Sequence, residues 1–178
     1  MKVHVFIATS LDGFIATRDG SIDWLTSLPC PETPYKEFWS KVDCLLMGRE
    51  TFNTVSEFDK WPYDKPVFVA SRSITGPPEN LNYKTIGIEI VKGSPNSILD
   101  NLEKKGFESI YLDGGVLIQD FLRADLVDEM YINVVGRLLG AGRRLFGEVI
   151  KTLEFELVSA EKLTDSMSMS HWRRRRSE

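Results

Sequence analysis

Ser109-Ile-Tyr-Leu-Asp-Gly-Gly-Val-Leu-Ile-Gln-Asp-Phe-Leu122 is the stretch whose reading decides the fold. Ile110, Tyr111 and Leu112 form a short β-prone run that two glycines stop, and from Val116 the apolar residues Leu117, Ile118, Phe121 and Leu122 recur at helical spacing. This is a strand, a tight turn and a helix. Gly114 and Gly115 carry no Cβ, so a ligand can lie against their backbone while the amides that open the helix point at an anion. The pair serves equally well as a plain turn between a buried strand and a helix, and the surrounding chain decides between the two.

Outward from this unit the same alternation repeats. Val3–Thr9 is mostly apolar, as a central strand covered on both faces requires. The segment Ser10–Trp24, with turn signals at Asp12-Gly13 and Asp19-Gly20, is a structured loop whose far end Trp24 and Leu25 pin. A short helix over Tyr35–Val42, with Thr33 as N-cap and Pro34 at its first position, places Tyr35, Phe38, Trp39 and Val42 on one core face. Asp43–Met47, Lys65–Ala70, Thr85–Val91 and Ser109–Leu112 are further strands. A breaker cluster Thr75-Gly-Pro-Pro78 separates the second of these strands from the third, and a helix over Asn96–Lys105 separates the third from the last. Strands alternating with helices give an α/β fold in three layers with a mostly parallel central sheet. After Asp125 the pattern changes: Val127–Val135 is a strand, Gly136–Gly147 a loop rich in glycine and arginine, and Leu153–Leu163 with Ser166–Trp172 a C-terminal antiparallel hairpin. Arg173–Arg176 is expected to be a solvated strand end or a frayed tail.

Composition narrows the function classes. The chain has 178 residues, 42% of them hydrophobic and 27% charged, and a formal charge of -4, an ordinary folded composition that favours neither nucleic acid nor a membrane as partner. One domain spanning residues 1–178 is expected, without signal peptide or membrane span, in the cytoplasm. The two cysteines, Cys30 and Cys44, form neither a CxxC pair nor a disulfide framework, and no metal site is expected.

Chemistry concentrates where strands end. Gly48-Arg49-Glu-Thr51, Ser71-Arg72 and Gly114-Gly115 each lie just past a strand, where open α/β sheets bind ligands. Two guanidinium forks, hydroxyls and free helix-start amides suit a dinucleotide with an extra ribose phosphate, which points to NADPH.

Four motifs in order, Phe6-Ile-Ala-Thr-Ser-Leu-Asp-Gly-Phe-Ile-Ala16, Leu46-Met-Gly-Arg-Glu-Thr-Phe52, Tyr111-Leu-Asp-Gly-Gly115 and Leu138-Leu-Gly-Ala-Gly-Arg-Arg-Leu-Phe-Gly147, resemble the dihydrofolate reductase superfamily. The branch they are most similar to is the reductase domain of riboflavin biosynthesis, the RibD C-terminal domain. The resemblance covers nearly the whole chain. It implies a dihydrofolate reductase-like fold, NADPH as hydride donor, a pyrimidine, pteridine or similar small-molecule heterocycle as acceptor, and a homodimer.

By position, the resemblance gives Gly48, Arg49 and Thr51 to the adenosine side of the cofactor, Ser71 and Arg72 to its 2′-phosphate, Gly114, Gly115 and the Val116 helix start to the pyrophosphate, and Ala8 with Ile15 to the nicotinamide. The sequence departs from dihydrofolate reductases at the glycine turn, where Asp113 precedes the pair and Val116 follows it. Counting back from Gly48 to the family's carboxylate lands on Glu32, which would be a catalytic acid with a raised pKa if partly buried; Asp12, in the loop after the first strand, is the competing candidate. The loop Arg137–Arg144 carries three arginines that would receive the phosphate of a ribosylaminopyrimidine, the acceptor in the riboflavin branch. The sequence has none of the His/Cys ligands of the zinc deaminase that often accompanies that reductase. Two other functions stand beside this one: a true dihydrofolate reductase, marked by an inward carboxylate and an apolar slot, and a non-catalytic nucleotide-binding module.

Overall fold

A computed structural model of the chain describes residues 1–73 and 87–176. Its ten strands are β1 (Lys2–Ser10), β2 (Phe14–Ala16), β3 (Cys44–Gly48), β4 (Val67–Ala70), β5 (Ile88–Val91), β6 (Ser109–Asp113), β7 (Glu129–Val135), β8 (Arg143–Arg144), β9 (Glu154–Thr164) and β10 (Met167–Arg175). The helices are α1 (Asp23–Thr26), α2 (Glu32–Trp39), α3 (Arg49–Ser56), α4 (Pro95–Lys104) and α5 (Gly115–Arg123). Eight strands make one sheet in the order β5-β4-β3-β6-β1-β7-β10-β9, and β2 pairs with β8 beside it. The strands from β5 to β7 run parallel, while β10 is antiparallel to both β7 and β9. The fold is thus an α/β sandwich of the dihydrofolate reductase type, with a largely parallel sheet and an antiparallel hairpin on one edge.

Alternation along the strands builds the layers. Val3, Val5, Cys44, Leu46, Ile110 and Leu112 face one core with the apolar sides of α4 and α5, and Leu45, Met47, Val67, Val69 and Tyr111 face the other with Phe38 of α2 and Phe52 of α3. Because both faces are covered, β3 is buried from Cys44 to Met47. Chain order runs from β1 out to β3, β4 and β5, then back to β6 between β3 and β1, so the direction of winding reverses at the strand that precedes Gly114-Gly115. No helix among the described residues is long and apolar enough to cross a membrane.

Two expectations need correction, and one lies outside the described residues. The helix expected over Tyr35–Val42 begins at Glu32, with Pro31 rather than Thr33 as its N-cap, and it ends at Trp39. Pro34 therefore sits within the first turn, where its missing N–H has no helical partner to lose. The arginine run is no frayed tail. Arg174 is almost wholly buried and grips Asp125 at 2.7 and 3.0 Å, Arg176 donates to Asp128 at 2.6 Å, and Arg173 meets Glu129 at 3.2 Å. Acids at the entry to β7 thus draw the end of β10 onto the sheet. The breaker cluster Thr75–Pro78 and the start of the strand expected at Thr85 lie outside the described residues, and β5 is seen from Ile88.

Candidate active site

The carboxyl ends of the strands open onto one cavity of about 1220 Å³ that crosses the sheet from β5 to β10. Every cofactor position read from the sequence lines it. Gly48 and Gly114 are the N-caps of α3 and α5; neither helix start has a side-chain cap, so both present unpaired amides to the same cleft. Gly114 has φ +102, and a Cβ on it would stand 2.8 Å from Thr51 Oγ1. A Cβ on Gly115 would stand 2.5 Å from Ile15 Cδ1. The two glycines thus let α5 close against α3 on one side and β2 on the other. Val116, the next residue, is 74% exposed in the cleft.

At the β3–β5 end Arg49 donates to Ser73 Oγ at 2.9 Å and to Glu50 at 3.0 and 3.1 Å. Ser71 lies beside Ser73, Arg72 follows it, and Lys92 lines the cleft beyond β5. Positive charge gathers here. Opposite, Ala8 of β1 and Asn133 of β7 form the floor and Tyr35 and Tyr63 part of the wall.

Neither carboxylate candidate named from the sequence is among the residues that line this cleft, whereas Glu50, Asp113 and Asp120 are. Glu32 lies in the exposed first turn of α2, away from the cleft, and its 2.5 Å bond from Lys36 lowers its pKa instead of raising it. Asp12 is a loop staple. It accepts from Ser10 Oγ at 2.5 Å and from the amides of Gly140 and Leu139 at 2.7 and 3.1 Å, which hold it down at about 2. Asp113, which the sequence showed only as a departure from the superfamily's turn, stands on the cleft floor. Burial pushes it up to about 6, and its one hydrogen bond, from Gly114 N at 2.8 Å, offsets part of that rise. Tyr35, Tyr63 and Tyr111 near it are held neutral by burial. Asn133 was also missed; its signal was a lone amide inside the apolar run Met130–Val135.

The arginine loop divides its work. Arg137 donates to Trp24 O at 2.6 Å and Ser27 Oγ at 3.0 Å, and so anchors the Ser10–Trp24 loop rather than a ligand. Arg143 reaches Glu50 of α3 at 3.8 Å, and the Arg144 guanidinium lies 4.6 Å from the Phe14 ring centre.

Residues 1–169 match the RibD C-terminal domain family. The chain belongs to that family. A solved structure from Shewanella sp. PV-4, provisionally named a riboflavin biosynthesis protein, is 44% identical to this RibD C-terminal domain, with a TM-score of 0.91 over 99% of this chain and 100% of that one. The diaminohydroxyphosphoribosylaminopyrimidine deaminase/5-amino-6-(5-phosphoribosylamino)uracil reductase of Thermotoga maritima shares the fold at 18% identity and a TM-score of 0.72, over 97% of this chain and 56% of that one. Dihydrofolate reductase from Enterococcus faecalis, in a complex with NADP(H), shares it at 18% identity and a TM-score of 0.67, over 97% and 96% of the two chains. Membership places this RibD C-terminal domain in a reductase family.

Proposed function

We propose that the chain is a cytoplasmic, NADPH-dependent oxidoreductase that transfers hydride to a ring or ribosyl C=N or C=O group of a pyrimidine- or pteridine-type heterocycle. One observation carries the reading: a single cleft joins a cationic end with two uncapped helix starts to an aromatic end, and a carboxylic acid titrating near neutrality lies on its floor. The donor set fits the cofactor, since the two helix starts carry no side-chain cap and Gly114 brings the one at α5 close to Thr51 of the other in the same cleft.

NADPH supplies the hydride. Arg49, Ser71 and Arg72 would hold the 2′-phosphate as charge-assisted donors, and the helix-start amides beyond Gly48 and at Gly115 and Val116, with Thr51, would hold the pyrophosphate side, while the Gly114 amide stays on Asp113. Ala8 and Ile15, which line the same cleft, would flank the nicotinamide and keep water from it. Asp113 holds a proton on its carboxyl for the ring nitrogen or oxygen that gains charge as hydride arrives. The inward Asp113 with the apolar residues Ile22, Leu25, Val55 and Phe58 also favours dihydrofolate as an acceptor, beside the phosphoribosylaminopyrimidine of the riboflavin branch. A homodimer through the apolar edge strand, where Leu157 and Val158 are exposed, belongs to the same reading.

Tryptophan fluorescence titration with NADPH and NADH tests this, followed by acceptor addition at the nicotinamide absorbance band. NADPH should bind at least about tenfold more tightly, through the extra phosphate, and an acceptor should then consume it. Equal binding of the two, or none, defeats the reading.

A further inference from the structure

The charges of the cleft are sorted by strand. Beyond β3, β4 and β5 stand Arg49, Arg72 and Lys92. Beyond β6, β1, β7 and β10 stand Asp113, Ala8, Asn133 and Met167, under walls that include Phe6 and Tyr35. Among the described residues this second compartment has no lysine, arginine or histidine. Arg143 and Arg144 line the same cavity from β8 instead, Arg143 beside Gly20 and 3.8 Å from Glu50 and Arg144 against the Phe14 ring, while Arg137 is held on Trp24 O and Ser27. A phosphate placed there would lose its water to aromatic walls and meet a carboxyl instead of a cation.

A second observation says what the compartment does want. Asn133 is 4% exposed and lines the cavity, and its side-chain amide makes no hydrogen bond to the described protein, so its donor and acceptor face the open cleft. A ligand that displaces the cleft's water there must supply both an acceptor and a donor in its place.

We propose that the acceptor is an uncharged, unphosphorylated planar heterocycle that lies between the aromatic walls with a hydrogen-bonding edge, such as a ring N–H beside a C=O, on Asn133. This rests on the reductase reading for the word acceptor. It separates this chain from reductases whose substrate carries a phosphoribosyl group.

The test is a matched pair: a ribosylaminopyrimidine with and without its 5′-phosphate, titrated calorimetrically into the protein saturated with NADP⁺. The unphosphorylated compound should bind about tenfold or more tightly than its partner, the measure of one unpaired charge. Asn133→Leu should weaken its binding by about tenfold and leave NADP⁺ affinity, which also reports folding, unchanged. Phe58→Arg, which adds a cation at a half-exposed position on the rim, should narrow the preference. The proposal is overturned if the phosphorylated form binds as well or better, if neither form binds, or if Asn133→Leu folds and binds the heterocycle as the parent does. Should the protein take no dinucleotide but still prefer the unphosphorylated compound when titrated alone, the compartment's selectivity stands and the reductase reading falls.

Discussion

Gly114 and Thr51 touch across the cleft: the position of a Cβ on Gly114 is 2.8 Å from Thr51 Oγ1, at a backbone φ of +102. Two separate penalties therefore meet any side chain at residue 114. Gly114→Ala should lower stability by about 1–3 kcal/mol and weaken dinucleotide binding, because it pushes apart the two helix starts that face the ligand. Adding Thr51→Ala removes the clash but leaves the φ strain, so urea denaturation of the double variant should recover only part of the loss. Full recovery would show that the backbone is not strained.

Asp113 couples activity to stability with a definite sign. Its pKa is raised from 3.8 to about 6 in the fold, so between these values the native state holds a proton that the unfolded chain has lost. Stability should then fall as pH rises through this window, by up to about 3 kcal/mol. Asp113→Asn should remove that dependence, leave the protein more stable than the parent at pH 8, and lower kcat by roughly 10²-fold or more. Denaturant melts and kcat profiles across pH 4 to 8 check both halves. A variant that kept the parent's pH dependence would assign the titration to another group.

Asp12 and Glu32 supply the contrast. Asp12→Asn should leave the pH profile in place and speed hydrogen exchange at Leu139 and Gly140, whose amides it holds. Glu32→Gln, which breaks only an exposed pair with Lys36, should leave kcat unchanged. A shifted pH profile in either variant would return that carboxylate to the catalytic role.

The part-buried pair of Arg174 with Asp125 makes the end of β10 a stability element. Arg174→Ala leaves Asp125 without its bidentate partner, with Lys151 at 3.1 Å as partial replacement, and should cost about 2–4 kcal/mol. Arg175→Ala, at an exposed pair with Glu156, should cost under about 1 kcal/mol. Thermal melts of the two variants give the comparison.

The sheet was legible because buried strands announce themselves by apolar runs and the turns by glycine; Ser109–Leu122 alone placed β6, the turn and α5 within a residue. Local backbone signals also marked the cofactor end, where Gly48, Arg49, Thr51, Ser71 and Arg72 follow their strands directly. The acceptor end was harder. Its residues come from β6, β1, β7, β10 and α2, far apart in sequence, and no local pattern states that Asp113 and Asn133 share a floor. Counting without gaps to Glu32 reaches a residue outside the cleft's lining, because spacing along the chain says nothing of which way a side chain faces. The arginine tail misled for a similar reason: a run of like charge reads as solvated unless one knows that Asp125, Asp128 and Glu129 wait beside it.

The place of β10 between β7 and β9 sets an order of assembly. Every strand of the parallel block finds its parallel partners within residues 2–135, whereas β9 must wait, unpaired, for residues 167–175 to emerge from the ribosome and join it to the rest. Met167, at the start of that last strand, packs with Val135 against Trp24, whose loop roofs the cleft. A nascent chain can therefore complete its phosphate-gripping half before Met167 closes the last side of the heterocycle's compartment, and the stage at which β9 is exposed and unpaired carries the greatest risk of sticking to a neighbour.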